Sequence, residues 1–280
     1  MTITIMQIHR APRGPKPVRP RIGGVGTKQD ELLNLGTELG YELMVSGAEI
    51  YRTEDSVGRL LRAYGSVSGE VFAIPNCLTV SLMGEGGEPL TRIRRIPPHG
   101  TDVDRLERCN DLCRHLCREK PDYASALDRL EQLRRDSRGY TPLMALVGYF
   151  VGAFGFCLFF KGNPAEALLS GLCSLSIGLC LHVMDRMGSN AFFKTIAGSA
   201  VSAFLAIGFT RLWPGLDADL ITIGALMALV PGVCFTSALR DVMAGDMVSG
   251  ISKAAEGILI GTAIAIGTGT AVALAGRLWR

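Results

Sequence analysis

Residues 142–184 read PLMALVGYFVGAFGFCLFF, then KGN, then PAEALLSGLCSLSIGLCLHVM. Each apolar run has the length a helix needs to cross ~30 Å of hydrocarbon at ~1.5 Å per residue. The hinge between them, Lys161-Gly162-Asn163, is too short for anything but a tight reversal. Further runs follow at Phe192–Leu212, Leu220–Leu239 and Ala254–Ala275. With Pro142–Phe160 and Pro164–Met184 they predict an all-α transmembrane bundle of five helices over residues 140–280.

The charge distribution divides the chain at the same place. Residues 1–140 carry 21 Lys/Arg and 19 Asp/Glu, whereas residues 141–280 carry 8 and 7. Residues 28–139 are therefore read as an α+β cytoplasmic domain. Leu32, Leu35, Leu39 and Leu43 recur at helical spacing, with Asp30, Glu31, Glu38 and Glu42 on other faces. A second amphipathic stretch, Glu49 to Tyr64, pairs with the first and stops at Gly65. The period then changes to two. Leu78, Val80 and Leu82 alternate with Thr79 and Ser81, flanked by Val71–Ile74 and Leu90–Ile96, with Pro75-Asn76 and Gly84–Pro89 as turns; this is an antiparallel meander. Helical patterns return over Asp102–Arg118 and Tyr123–Arg135. Residues 1–27 are basic and proline-rich, lack the apolar core of a signal peptide, and read as a disordered tail.

A net charge of +3, spread along the chain, gives no reason to propose nucleic acid as a partner. Cys157, Cys173, Cys180 and Cys234 lie in apolar runs as small hydrophobes. Cys109, Cys113 and Cys117 form one row on one helix, a buried stripe rather than ligands converging on a metal. No metal or cofactor is implied. Arg134, Arg135, Arg138, Arg186, Lys194, Arg240 and Lys253 fall on the side of the soluble domain, against Lys161, Arg211, Arg277 and Arg280 opposite. The positive-inside rule then makes the N-terminal domain cytoplasmic and puts the C-terminus outside. Gly148/Gly152 and Gly257/Gly261 have the spacing that lets helices approach closely in lipid.

The candidate pathway residues cluster around Pro231-Gly232. Pro in mid-span removes a donor and clashes with the preceding turn, which makes either a simple kink or a broken helix of the kind that lines substrate sites. Thr236 and Ser237 offer hydroxyls one turn on; Arg240, Asp241 and Asp246 follow near Gly245 and Gly250. Arg240 suits a bidentate pair with a substrate carboxylate, or a pair with Asp241 or Asp246. Glu49, Arg52, Glu54 and Asp55 open the second helix, either as helix-end charges or as a gating surface for the membrane part's loops at Arg186 or Arg240-Asp241. Glu166 and Glu256 stand at the starts of spans, as capping groups or coupling-proton carriers, and His182 with Asp185-Arg186 stands at a span end.

The run from Pro231-Gly232 to Arg240-Asp241, with Ala244-Gly245-Asp246 and Ser249-Gly250, resembles a signature of the threonine/serine exporter (ThrE) family. Ser46-Gly47-Ala48-Glu49-Ile50-Tyr51-Arg52-Thr53-Glu54-Asp55 is similar to that family's other signature. Thr91-Arg92-Ile93-Arg94-Arg95 with Gly100-Thr101-Asp102 fits the same pattern, so the resemblance covers about residues 28–275. Ser237 stands where the family pattern has an asparagine, a departure that bears on the substrate more than on the class. The chain resembles only the first half of the fused family form. The split YjjP/YjjB-type systems imply a second small membrane subunit, and a homo-oligomer is the alternative.

The resemblance implies a subunit of a secondary exporter in the bacterial inner membrane, moving threonine, serine or a succinate-type dicarboxylate. This chain has no phosphate-binding Gly-rich loop with Lys-Ser/Thr, which makes the proton-motive force the expected drive. Two other classes compete: a membrane-tethered hydrolase and a non-transporting scaffold. The first lacks a Ser-His-Asp or nucleophile-elbow arrangement, and His99 and His115 have no compelling partners.

Overall fold

The computed structural model describes residues 27–84, 86–136 and 141–278. The basic tail predicted over residues 1–27, except Thr27, lies outside the described residues, as do Glu85 in the expected Gly84–Pro89 turn and Arg138 and Arg280 of the charge comparison. Two compact units are present. One holds the described residues up to Asp136 together with Ser237–Ser252, and the other holds residues 141–236 and 253–278.

The first unit contains α1 (Lys28–Val45), α2 (Ile50–Ala63), β1 (Glu70–Ile74), β2 (Cys77–Met83), β3 (Pro89–Arg95), α3 (Val103–Glu119) and α4 (Tyr123–Asp136). Thr27 caps α1 through its side chain, accepting from the Asp30 N–H at 3.3 Å. The strands form an antiparallel sheet in the order β1-β2-β3, in register Glu70↔Ser81 and Cys77↔Arg95. Leu78, Val80 and Leu82 of the central strand turn inward, as their alternation predicts. They join Leu33, Tyr41 and Met44 of α1 and Val57 and Leu61 of α2 in one core. Leu35, Leu39 and Leu43 of α1 face a second core built with Leu60, Cys109, Cys113, Leu116 and Leu130.

α1 is thus a central helix with neighbours on every side, and Leu32 through Ser46 is buried without interruption. This differs from the amphipathic reading, in which Glu38 and Glu42 occupied outer faces. Each is 1% exposed. The reason is topological: helices and sheet together enclose α1, whereas a sequence stripe announces only one partner.

Gly47 ends α1 with φ +87°, and the Ala48 N–H returns to the Leu43 carbonyl at 3.0 Å. A Cβ here would meet the Thr101 Cα at 3.0 Å. Gly47→Val therefore meets both a forbidden φ and a steric wall, and should cost about 1–3 kcal/mol. Hydrogen exchange of α1 and α2 amides in the full-length chain checks this, with faster exchange expected at both helix ends.

The second unit contains α5 (Pro142–Phe159), α6 (Pro164–Arg186), α7 (Ala191–Leu212) and α8 (Ala218–Leu226). The start of α9 (Gly232–Ala244) and most of α10 (Met247–Leu278) complete it. Nine of the 23 residues of α6 are buried, against four of the 18 of α5, because α6 packs against α5, α7 and α8 together. Outward-facing apolar side chains such as Val147, Val151, Leu172, Leu179 and Val201 give the surface expected of helices in lipid.

Five uninterrupted spans are not found: among the described residues four helices, α5, α6, α7 and α10, are long and apolar enough to cross a membrane. The predicted fourth span, Leu220–Leu239, is two shorter helices, because Pro231 has no N–H to give to the carbonyl one turn back and residues 227–229 form a turn. Of the small-residue spacings, Gly257 lies against the Phe235 ring, whereas nothing described stands within 4 Å of a Cβ at Gly148 or Gly261. The close approaches fall instead at Gly171 on Phe150, Gly178 on Tyr149 and Gly224 on Cys157.

Candidate functional site

α9 leaves the break and runs to Ala244, five residues beyond the predicted end of the span. Gly232, Thr236 and Arg240, four apart, share one helix face, with Ser237 and Asp241 beside them. Pro231, Gly232 and Thr236 belong to the membrane unit, whereas Ser237, Arg240, Asp241 and Asp246 belong to the same compact unit as α1–α4. Thr236 uses its hydroxyl locally, donating to the Gly232 and Val233 carbonyls at 3.2 and 3.0 Å. Asp241 is fully buried, and its carbonyl receives the Asp246 N–H at 2.9 Å. Gly245 has φ +97° at this reversal, and a Cβ on Gly250 would meet the Ala238 carbonyl at 2.9 Å.

Arg240 pairs with Glu49, a contact of the kind the gating-surface alternative allows. Glu49 sits at the N-cap of α2, where its φ and ψ of −66° and 145° are extended and its carboxylate makes no capping hydrogen bond. Its second oxygen meets the Arg52 Nε at 2.8 Å, one turn along α2. A carboxylate on a residue only 8% exposed is thereby held between two guanidinium groups. The Arg240 contact is a charge-assisted hydrogen bond, whereas Arg52 answers the second oxygen as an ion pair only, its Nε donating to the Tyr51 hydroxyl at 2.9 Å; together the two charges offset part of the cost of taking the carboxylate out of water. Arg240 is 56% exposed, so one side of its guanidinium stays open to solvent.

Glu54 lies one turn further on. Its carboxylate accepts the Ala73 N–H of β1 at 2.7 Å. Burial raises the Glu54 pKa above the ordinary carboxylate value; the Ala73 hydrogen bond opposes this and the nearby charge of Asp246 adds to it. The structure thus brings together Arg240 and Asp246 from the segment after the break with Glu49, Arg52 and Glu54 from α2. Asp55 is not part of this group and pairs with Arg59 at 2.9 Å.

Charges that sequence reasoning passed over form a larger buried network. Glu38 meets Arg94 at 3.3 Å and Arg134 at 2.5 Å; Glu42 meets Arg134 at 2.5 Å and also pairs with Arg105. Arg94 lies over the Tyr41 ring, 4.8 Å from its centroid. The available signal was the i, i+4 repeat of Glu38 and Glu42 inside a leucine-rich helix. It is ambiguous because the same repeat marks a solvated face. Cys109 and Cys113 lie in the core beside this network, where burial pushes both thiols up to about 12.

In the membrane unit, Glu166 closes a capping box with Asn163 and accepts the Asp217 N–H at 2.9 Å. These bonds hold the α5–α6 and α7–α8 connections together, and the geometry is that of the capping reading. Asp185 pairs with Lys194 across the α6–α7 connection.

A family model described as "Putative threonine/serine exporter" (ThrE) matches residues 34–275. A curated protein of Mycobacterium tuberculosis (strain ATCC 25618 / H37Rv), described as "Probable threonine/serine exporter", is 20% identical over 266 residues. That alignment covers 92% of this chain and 50% of the relative, so the chain spans about half the length of the curated relative it matches. No solved structure matches the chain.

Proposed function

Because the chain belongs to the ThrE family, whose model spans residues 34–275, we propose that it is the membrane subunit of a secondary exporter for a small carboxylate-bearing metabolite. Threonine and serine are the first candidates, from the words that describe the family and the relative, and a succinate-type dicarboxylate follows them. The chain matches half of its relative, and four apolar helices of spanning length with one broken helix are few for a transport path on their own. A second membrane subunit supplying the remaining helices, or a homo-oligomer, completes it. The chain sits in the bacterial inner membrane, with its N-terminal unit cytoplasmic and its C-terminus outside. In this reading α8 and α9 cross together as one broken span.

The observation that carries the reading is the Glu49–Arg240 pair. Arg240 stands on the helix that leaves the break, and Glu49 occupies it as a substrate carboxylate would. An incoming carboxylate competes with Glu49 for the open side of the guanidinium. Exchange releases the segment after the break from α2, and the substrate moves toward the break with it. Glu54, whose pKa is raised by burial and by the nearby charge of Asp246, is the carboxyl suited to couple that release to protonation. This favours the proton-motive force as the drive.

The test is extracellular accumulation of threonine, serine and succinate from exporter-deficient bacteria that express the chain with and without a complementary membrane subunit. Accumulation of one of these solutes with both chains is expected. If none accumulates while both proteins are confirmed in the membrane, the exporter reading is wrong.

A further inference from the structure

Three hydroxyls inside the membrane unit have no hydrogen-bond partner among the described residues: Tyr149 on α5, Ser174 on α6 and Ser202 on α7. Tyr149 is 2% exposed and both serines are 0% exposed. Serine and threonine in a spanning helix usually donate to a carbonyl one turn back. Their neighbours do so: Ser176 donates to Cys173 at 2.6 Å, Ser199 to Thr195 at 2.8 Å and Thr210 to Ile207 at 2.9 Å. Ser174 and Ser202 depart from this habit on the same two helices. A buried hydroxyl without a partner destabilises a protein, and more so in hydrocarbon than in a wet interior.

The three positions fall close together. The Tyr149 ring lies on Gly178, where a Cβ would meet it at 3.0 Å, and Ser174 is one turn before Gly178 on α6. Ile177 packs on Gly198, and Ser202 is one turn after Gly198 on α7. α6 and α7 are packed neighbours joined by a short connection and so run antiparallel, which puts Ser174 and Ser202 at one level across their seam. Tyr149 shares its core cluster with Leu226, Ala228 and Leu229, the residues that enter the break.

We propose that Tyr149, Ser174 and Ser202 are the polar lining of a binding site for a small hydroxyl-bearing amino acid, with Tyr149 packed among Leu226, Ala228 and Leu229 at the break. The inference rests on the exporter reading and names the part of the membrane unit that selects the solute. Hydroxyls both donate and accept, so they complement a solute hydroxyl in either sense. The break supplies an acceptor for the ammonium group, since Pro231 leaves the Met227 carbonyl without its helical donor. A site that hydrogen-bonds a hydroxyl rejects the isostere lacking it far more strongly than apolar contacts reject an added methylene. Threonine is thereby favoured over 2-aminobutyrate.

The test uses the full chain with its complementary subunit and the variants Tyr149→Phe, Ser174→Ala and Ser202→Ala, each of which removes one oxygen and leaves the packing in place. Each variant should lower efflux of threonine relative to 2-aminobutyrate by about three- to tenfold, and the triple variant should lose the preference. Thermal unfolding in detergent should be unchanged or raised, because a buried unpaired hydroxyl has been removed. Variants that lose stability, or that keep the preference, overturn the site. Wild-type export with an unchanged preference in the triple variant overturns the site alone. A wild type that exports neither solute, with both chains in the membrane, overturns the exporter reading and this site with it.

Discussion

Arg240→Ala is expected to reduce efflux to background while leaving membrane insertion and the amount of protein intact. Arg240 is itself 56% exposed and Arg52 still answers the buried Glu49 carboxylate after its removal, so the substitution leaves no buried charge without a counter-ion and the protein should still insert. What the substitution removes is the cation that Glu49 now holds and that the substrate carboxylate is proposed to take over. Lysine at this position keeps the charge but loses the planar fork, so Arg240→Lys should retain only a fraction of the activity. The pair itself is tested by charge reversal. Glu49→Arg and Arg240→Glu should each fail alone, and the double variant should recover insertion-normal protein without recovering carboxylate efflux, because the cation has moved to α2. Recovery of full efflux in the double variant would mean that the pair is only a fastening. Normal efflux from inserted Arg240→Ala would remove Arg240 from the pathway.

The parts of this molecule legible in the sequence are those in which one period points to one partner. The alternation of Leu78, Val80 and Leu82 matches the central strand because a sheet face has a single layer beneath it. The hydropathy of residues 142–212 matches three spanning helices because lipid asks only for length and apolarity. α1 is not legible in the same way, because it has more than one partner. Its leucine stripe points to one core, whereas Glu38 and Glu42 reach arginines 56 to 96 residues away in sequence, and no local pattern encodes that pairing. The break at Pro231 was visible, but its effect on the span count was not, because a proline kink and a full interruption have the same sequence. The Arg240–Glu49 pair, 191 residues apart, corresponds to one of the alternatives open in the sequence, a gating surface set against Arg186 or Arg240-Asp241, but spacing alone does not choose it over helix-end charges. Tyr149, Ser174 and Ser202 left no signal, since a hydroxyl in an apolar run is ordinarily absorbed by its own helix.

Glu42→Ala carries the largest expected effect on stability. Glu42 is 1% exposed and answers two guanidinium groups, Arg105 and Arg134, both largely buried; Glu38 answers Arg94 and Arg134. The cluster holds three arginines against two glutamates, so removing one carboxylate leaves two net positive charges in place of one inside the unit. Deleting one partner of a buried ion pair costs about 3–5 kcal/mol, because the remaining charge has lost both water and its counter-ion. Cys109 and Cys113 report that loss directly. Both are buried in the adjoining core with thiols pushed up to about 12, so they react with a maleimide only when the unit opens. Each 1.4 kcal/mol is tenfold in the opening equilibrium, so labelling of the full-length variant should run about a hundred- to a few-thousandfold faster than in the wild type. Glu42→Gln should fall between the two, since the amide oxygen still accepts a hydrogen bond but carries no charge. The two variants also separate charge from shape. If Glu42→Gln labels at the wild-type rate, the network is held by hydrogen bonding and packing, and the ionic account of α1 fails.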